Sequence, residues 1–379
     1  MKKIYCTVTN DLNYDQRMQR ICSSLSNAGF DITLLGRKLK DSKPLSEFNF
    51  KQKRIRCFFT KGKFFYLEYN IRLFFFFLFL RKYDAICAVD LDTLLAATLA
   101  AKIRRKKLVY DAHEYFTEVP ELIGRPRIQR IWSKIAKFCI PKADLAYTVC
   151  SSLAEEFDKN YNKKFEVIRN LPKSSKEDLE TQIEKSADEP MILLYQGMLN
   201  DGRGLEEMLD AMQEFDAKKV QFWIVGEGDL SDALRKKAQE LKLGERVKFH
   251  GFIKPLELKS ITQKADIGIN LLKNKGLNYY YSLANKFFDY AMAEKPSICM
   301  DFPEYRKHCN EYQTALLIPD LTKESILKAI NTLLNERALF LEIKANCKIA
   351  KEIWTWEKEE IMLKSIYLEL FSIEKRQLH

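Results

Sequence analysis

The sequence lacks the residue pairs that build metal centres and disulfide frameworks. Its 379 residues include nine cysteines but no CxxC pair, and its four histidines stand at no ligand spacing from them. Because structural zinc sites and disulfide scaffolds need such pairs, the pattern argues against both and indicates reduced thiols in a cytoplasmic setting. The first residues lead directly into a strand-like segment, Ile4–Val8, so no secretory signal is expected.

Long apolar runs are also missing. The apolar peak is Leu73–Leu80, eight residues with four consecutive phenylalanines, flanked by Arg72 on one side and by Arg81 and Lys82 on the other. Eight residues cannot cross a bilayer, which needs about 20. The run is interpreted either as a buried helix or as an aromatic and basic surface that sits among lipid headgroups.

Positive charge is concentrated in one half of the chain. Residues 1–173 hold 33 Lys and Arg against 18 Asp and Glu, a net +15, whereas residues 174–379 hold 30 against 34, a net −4. A basic half favours an anionic partner such as a membrane leaflet, a lipid-phosphate acceptor or nucleic acid, and a solvated lysine-rich surface is the alternative. Since no nucleic-acid-binding module is recognisable, we predict peripheral contact with anionic membrane, on the inner face of the plasma membrane, and no nucleic-acid partner.

Short apolar segments alternate with longer amphipathic ones along most of the chain. The alternation predicts seven strands in the first half and six in the second, including a strand at Ile55–Phe59, with helices such as Leu67–Leu80 between them. Strands that alternate with helices form parallel sheets. The fold class is therefore α/β, with two Rossmann-like doubly wound domains.

The polar stretch Pro172–Pro190 interrupts the alternation and is interpreted as a linker. It separates an N-terminal domain, residues 1–173, from a second domain, residues 188–350. The final residues, 351–379, have a helical pattern and are expected to pack back on the first domain.

The segment Ser282–Ala293 has the features of a helix that holds an anion at its start. Ser282 is a candidate N-cap, and Asn285 and Lys286 add side-chain donors to the free amides of the first turn. Asp289 lies one turn later on the same face, where a carboxylate can accept both hydroxyls of a ribose. The alternative is a buried helix with an incidental Asp and an aromatic core of Phe287, Phe288 and Tyr290.

Glycine-rich turns follow the predicted strands of the second domain. Gly202 and Gly204 allow close approach of backbone to a ligand, and Arg203 between them offers a charged fork suited to phosphate oxygens. The spacing fits neither the dinucleotide fingerprint nor a P-loop. The later turns are weaker signals for a nucleobase pocket and contain Gly226, Gly228, His250 and Phe252.

Polar residues also follow the strands of the first domain. His113 and Glu114 come directly after a strand that ends near Asp111, and a neutral histidine can donate to a sugar hydroxyl or a phosphate. Ligands of open α/β sheets bind at such carboxyl-end turns. The predicted acceptor side consists of these residues and of the turn after the first strand, namely Asn10, Asp11, Tyr14 and Arg17.

Taken together, these motifs resemble the retaining glycosyltransferases of family 4, also described as group 1, which have the two-domain GT-B fold. The resemblance rests on Tyr110–Glu114, the loop Gly197–Gly204, Val225–Gly228, Asn285–Ala293 and the closing Trp354–Glu357, which is similar to the family's return helix. It covers essentially the whole chain. It implies two domains that face each other across a cleft, with the C-terminal helix on the first.

The resemblance also implies roles for single residues. Asp289 binds the donor ribose, Arg203 and Lys286 neutralise the leaving pyrophosphate, and His113 lies beside the transferred sugar or its phosphate. The remaining donor-binding positions are Gly197, Gly202, Gly204, Gly226, Gly228, Phe252, Leu283, Ala284 and Asn285.

Three positions depart from the family pattern. Tyr281 stands where the family pattern has an acidic residue near the donor sugar, eight positions before Asp289. Met198 stands where a basic residue often follows the first glycine of the Arg203 loop. The first loop of the chain, Thr9–Asp11, has no glycine against the pyrophosphate.

The predicted activity is transfer of a sugar from a nucleoside-diphosphate sugar to a hydroxyl of a saccharide or lipid-linked acceptor, in cell-surface polysaccharide or glycolipid synthesis. Arg203, Lys286 and a helix terminus would stabilise the leaving diphosphate, so no metal or other cofactor is expected. Two alternatives remain open: a non-catalytic binder of nucleotide sugars or polyanions, and a sugar-nucleotide epimerase of similar fold.

Overall fold

The computed structural model describes residues 1–13, 15–174 and 189–376, and these form two compact units. Unit 1 consists of Met1–Asn170 together with the C-terminal residues from Lys358, and unit 2 consists of Leu171–Glu357. The predicted linker lies mostly outside the described residues. The two Rossmann-like α/β folds predicted from the alternation are confirmed.

Unit 1 is built on a seven-stranded parallel sheet with the strand order β3-β2-β1-β4-β5-β6-β7. Its inner strands are buried on both faces, as in Ala85–Val89, where every residue is enclosed. Its elements are β1 Lys3–Thr7, α1 Gln16–Asn27, β2 Asp31–Lys38, β3 Lys51–Arg56, α2 Gly62–Phe79, β4 Ala85–Val89, α3 Leu91–Arg104, β5 Lys107–Ala112, α4 Pro126–Cys139, β6 Leu145–Thr148, α5 Ser151–Tyr161 and β7 Glu166–Val167.

Unit 2 repeats this plan with a six-stranded parallel sheet in the order β10-β9-β8-β11-β12-β13. Its elements are β8 Met191–Gln196, α6 Leu205–Ala211, β9 Val220–Val225, α7 Ser231–Glu240, β10 Val247–Gly251, α8 Pro255–Lys264, β11 Ile267–Asn270, α9 Gly276–Tyr280, α10 Asn285–Met292, β12 Ser297–Met300, α11 Pro303–Glu311, β13 Ala315–Ile318, α12 Lys323–Asn335 and α13 Arg337–Lys351. A last helix, α14, spans Trp356–Arg376 and continues into unit 1.

The strand order reverses direction at one point in each sheet. In unit 1 this point lies between β1 and β4, and in unit 2 it lies between β8 and β11. Loops that leave neighbouring strands there run to opposite faces and open a crevice at the carboxyl ends of the strands. Both predicted groups of polar residues follow strands at or beside these two points.

Helix α14 contributes to the core of unit 1. The Tyr367 hydroxyl lies 3.2 Å from that of Tyr147, and its ring contacts Phe30 with 6.2 Å between centroids. The Glu359 carboxylate accepts hydrogen bonds from the Arg169 backbone and guanidinium at 2.7 to 3.0 Å.

Two predicted boundaries in unit 1 were wrong. The third strand is Lys51–Arg56 rather than Ile55–Phe59, because the amides of Phe58 and Phe59 donate to the Glu68 carboxylate instead of a strand. Helix α2 begins at Gly62, five residues before the predicted start at Leu67. No helix among the described residues is long and apolar enough to span a membrane.

Candidate functional site

The loops after β8, β9 and β10 in unit 2 are joined by backbone hydrogen bonds. The Gly197 amide donates to the Val225 carbonyl at 2.9 Å, and the Gly226 amide donates to the Gly251 carbonyl at 2.8 Å. A Cβ on Gly226 would lie 1.9 Å from the Gly197 oxygen, and the Gly226 φ is +135°. Only glycine fits so close an approach, and the three turns therefore form one rigid floor.

Arg203 belongs to the first of these loops, between β8 and α6. Gly202 and Gly204 on either side have φ angles of +81° and +67°, in the left-handed region, and this turn places the guanidinium 5.0 Å from the centre of the Tyr279 ring. Within the described part of the chain, the buried Nε of Arg203 has no hydrogen-bond partner. An orphaned guanidinium nitrogen is costly unless a ligand completes it, and phosphate oxygens match its geometry.

Lys286, in the first turn of α10, faces the same loop. Its Nζ lies 3.5 Å from the centre of the Tyr195 ring and 3.4 Å from a Cβ built on Gly197. Burial, reinforced by the charge of Arg203, lowers the pKa of Lys286 well below its usual value, and Asp289 offsets this only in part. The positive charges of Arg203 and Lys286 therefore repel each other, and a bound anion would offset this repulsion.

Asp289 is held by a chain of side chains that the sequence reasoning missed. Gln196, the last residue of β8, donates to the Asp289 carboxylate at 3.1 Å, and the Thr262 hydroxyl donates to the Gln196 amide oxygen at 2.8 Å. This chain fixes the orientation of the carboxylate. The sequence signal that could have indicated this glutamine is its position at the end of a buried strand, directly before a glycine turn.

The start of α10 differs from the prediction. The helix begins at Asn285 with Ala284 as its N-cap, and Ser282 does not cap it because its hydroxyl donates to the Tyr279 carbonyl at 2.8 Å. The Ala284 amide, predicted as a ligand donor, is occupied by the Tyr305 hydroxyl at 3.1 Å. The Tyr290 hydroxyl donates to the Leu194 carbonyl at 2.9 Å and thereby fixes α10 against the sheet.

The remaining residues predicted to bind the donor differ in their exposure and packing. Phe252 follows β10 and is exposed, Leu283 is buried, and Gly228 packs against the backbone of Leu199. Met198, which replaces a basic residue of the family pattern, is exposed, and its carbonyl accepts a hydrogen bond from the Tyr195 hydroxyl at 2.7 Å.

In unit 1, His113 is the centre of a charged cluster. Its Nε2 lies 3.0 Å from the Asp111 carboxylate, whose other oxygen lies 3.1 Å from the Arg17 guanidinium. Burial alone would lower the pKa of His113, but Asp111 and Asp90 outweigh it and raise the pKa to about 9. The direction of this shift favours the imidazolium, which has donors on both ring nitrogens, over the neutral ring considered from the sequence.

Two acids at the start of α3 were not among the predicted site residues. Asp90 follows β4 with a φ of +54°, and its carboxylate accepts the His113 amide at 2.8 Å. Burial raises the pKa of Asp90 to about 7 and that of Asp92 to about 6. A non-glycine residue in the left-handed region is strained, and such strain concentrates at functional sites.

Two residues predicted on the acceptor side form ion pairs and hydrogen bonds with other residues of unit 1. Arg17 is 5% exposed and also donates to the Ile168 carbonyl at 3.0 Å, so it supports Asp111 rather than facing solvent. The Asp11 carboxylate pairs with Arg54 at 2.5 Å and accepts a hydrogen bond from the Asn13 amide. Asn10 and Glu114 are exposed, and Tyr14 lies outside the described residues.

Among the residues that the structure describes, no three His, Cys, Asp or Glu side chains are grouped so that they could hold a metal ion. The expectation of a metal-independent reaction stays a prediction.

Comparison with protein-family models gives matches to both units. The model described as Glycosyltransferase Family 4 matches residues 16–171, and that described as Glycosyl transferases group 1 matches residues 190–336. The chain belongs to the group 1 glycosyltransferases of family 4, which confirms the resemblance seen in the sequence motifs. A sequence search of curated proteins returned no match.

Solved structures show the same GT-B fold at low sequence identity. Sucrose-phosphate synthase from Thermosynechococcus elongatus is 17% identical with a TM-score of 0.76, over 98% of this chain and 100% of that one. HepE from Anabaena, solved with UDP-glucose, is 15% identical with a TM-score of 0.73, over 97% and 100%. WaaG, a glycosyltransferase of lipopolysaccharide biosynthesis, is 12% identical with a TM-score of 0.70, over 96% and 99%.

Proposed function

We propose that the protein transfers a sugar from a nucleoside-diphosphate sugar to a hydroxyl of a saccharide or lipid-linked acceptor, with retention of the anomeric configuration. The observation that carries this proposal is that Arg203 and Lys286 lie together beside the glycine turns of unit 2, where, among the described residues, the buried Arg203 Nε has no hydrogen-bond partner and Asp289 only partly offsets the lowering of the Lys286 pKa. A bound diphosphate would supply the acceptor and further negative charge.

The chemistry follows from the charges that develop in the reaction. Cleavage of the anomeric bond leaves negative charge on the departing diphosphate, which Arg203 and Lys286 stabilise from fixed positions. Asp289, one turn along α10 from Lys286, is placed to accept the ribose hydroxyls. We further propose that the His113 imidazolium binds a sugar hydroxyl or a phosphate at the edge of the unit 1 sheet.

The structural neighbours support the type of donor and the setting. HepE was solved with UDP-glucose, and WaaG acts in lipopolysaccharide biosynthesis. We therefore propose a uridine nucleotide as the first donor to test and a cell-surface polysaccharide or glycolipid as the product class.

The proposal is tested by titrating UDP, GDP and ADP into the protein and into Arg203→Ala. Because charge-assisted hydrogen bonds to phosphate are lost, Arg203→Ala should weaken nucleotide binding roughly tenfold to a hundredfold. The matched control is Arg306→Ala, which removes an exposed guanidinium of unit 2 that pairs with Asp301. Equal affinity in the two variants would refute the placement of the diphosphate.

Turnover of the bound nucleotide sugar separates the enzyme from a binding protein. Anomeric proton signals of the first product should show the configuration of the donor. Nucleotide-sugar binding without hydrolysis or transfer would instead favour a non-catalytic binder, for which Tyr281 in place of an acidic residue already argues. Conversion of the donor sugar without an acceptor would indicate an epimerase.

A further inference from the structure

Helix α2 of unit 1 has two apolar faces, and one of them remains exposed. Its buried stripe repeats every fourth residue and consists of Phe65, Tyr69, Leu73 and Phe77. On the opposite side, a second stripe at helical spacing is exposed and consists of Phe64, Leu67, Ile71, Phe75 and Phe79. A helix needs only one apolar stripe to pack on its own domain, so the second requires another explanation.

The loop before α2 extends this exposed stripe. Phe58 is 86% exposed, yet its amide and that of Phe59 donate to the Glu68 carboxylate at 2.9 Å. The Phe59 ring also contacts Phe64, with 5.4 Å between centroids. These contacts hold the loop on α2, and we name the loop and the exposed stripe together the aromatic face: Phe58, Phe59, Phe64, Leu67, Ile71, Phe75 and Phe79.

The segment that carries the aromatic face has a net positive charge. Between residues 56 and 83 the only acidic side chain is Glu68, which pairs with Arg72 at 2.7 Å. The other cations of this segment are exposed and lie near the two ends of α2: Arg56, Lys61, Lys63, Arg81 and Lys82.

Helix α4, beside the start of α2, has the same composition. Its Trp132 packs edge to face on Tyr66 of α2, with 5.6 Å between ring centroids. Residues 125–142 contain six Lys or Arg and no acid, and Ile128, Ile131 and Phe138 are exposed among them. The aromatic and cationic character therefore continues onto a second helix.

We propose that the aromatic face binds the surface of an anionic lipid bilayer. Aromatic and aliphatic side chains enter the boundary between headgroups and acyl chains, while lysine and arginine side chains pair with lipid phosphates. Charge favours this occupant over a second copy of the chain, because a symmetric dimer through this face would bring two cationic rims together. The inference is independent of the proposed glycosyl transfer, since it requires no nucleotide.

The test is flotation of the full chain with phosphatidylcholine vesicles, with and without phosphatidylglycerol, at low salt. The key variant is Ile71→Ser, and its matched control is Ile349→Ser on α13 of unit 2, since the two side chains are 47% and 52% exposed. We expect vesicle binding that needs phosphatidylglycerol and falls roughly tenfold in Ile71→Ser, because an apolar side chain no longer enters the lipid. Ile349→Ser should bind like the parent protein.

A charge-reversal pair tests the cationic rim. Lys61→Glu with Lys63→Glu should reduce flotation and its salt dependence, whereas Lys348→Glu, an exposed lysine of α13, should not. All variants should unfold at the temperature of the parent protein, since each change is on the surface. Three outcomes would overturn the proposal. The protein could bind only neutral vesicles, or Ile349→Ser could lose as much vesicle binding as Ile71→Ser. The third outcome is no vesicle binding together with a dimer in light scattering that Ile71→Ser abolishes.

Discussion

At the scale of single residues, the charge state of Lys286 would control the affinity of the proposed diphosphate site in unit 2. Its ammonium group rests on the Tyr195 ring close to the Arg203 guanidinium, and burial together with that neighbour lowers the pKa of Lys286. A bound diphosphate would reverse the effect, because a nearby negative charge favours the protonated amine. Proton uptake should therefore be coupled to the proposed nucleotide binding.

The coupling gives a pH dependence with a definite sign. Above the lowered pKa of Lys286 the free amine is neutral, so nucleoside-diphosphate affinity should fall as pH rises, by up to about tenfold per pH unit. Lys286→Arg should lose this dependence, since a guanidinium stays charged. Calorimetry in two buffers of different ionisation enthalpy measures the proton uptake, and the same uptake in both proteins would contradict the assignment to Lys286.

The sequence motifs predicted the charged residues of the candidate site but not the side chains that orient them. Arg203, Lys286 and Asp289 are visible in the sequence because they occupy recognisable turns and one helix face. Gln196 and Thr262, which orient Asp289, are 66 positions apart, and Arg17 and Asp111 are 94 apart. Such contacts depend on how loops and strands meet in space, which local patterns do not encode.

At the scale of elements, the glycine floor depends on close backbone contact between turns that follow different strands. Gly226 touches the Gly197 backbone, and Gly268 in β11 leaves room for the Tyr290 ring of α10. The alternation of apolar segments predicted the strands well, because buried parallel strands are short continuous apolar runs. It failed at Ser282, the predicted helix start, because α10 begins only at Asn285, and it did not predict the short helix α9 that precedes this segment.

Gly226→Ala tests the floor as an element. The new methyl group would overlap the Gly197 carbonyl, so this variant should lose nucleotide binding and unfold at lower urea concentration than the parent protein. Gly29→Ala is the matched control, because Gly29 also has a positive φ but no atom lies within 4 Å of the added carbon. It should cost only about 1 kcal/mol and keep nucleotide affinity. Unchanged nucleotide binding in Gly226→Ala would show that binding does not require close contact between the Gly197 and Gly226 turns.

At the scale of the whole molecule, the chain forms two units of similar plan, and one of them is assembled from both ends of the sequence. The strand and helix alternation was enough to predict two Rossmann-like folds, and the closing Trp354–Glu357 motif pointed to the packing of the last segment. The sequence did not predict that α14 contacts unit 1 through Tyr367 and Glu359, because the pattern of a helical segment does not reveal which residues it packs against.

Tyr367→Ala should weaken unit 1 without changing the proposed nucleotide site of unit 2. Tyr367 is fully buried among aromatic rings of unit 1, and truncating such a side chain leaves a cavity that costs roughly 3–5 kcal/mol. Leu368→Ala is the matched control, since its neighbouring side chain is 52% exposed and its loss should cost little. Urea unfolding and nucleotide titration measure the two quantities, and a parallel loss of nucleotide affinity in Tyr367→Ala would argue against independent units.

The discontinuity of unit 1 also sets an order of events during synthesis. Domains made by the ribosome generally mature from the N-terminus onward. Here all seven strands of unit 1 are made before unit 2, but the part of α14 that packs in unit 1 begins at Lys358 and is made only after the contiguous unit 2. Unit 2 should therefore be able to complete its core during synthesis before the basic, aromatic-rich unit 1 acquires the buried Tyr367 side chain of α14.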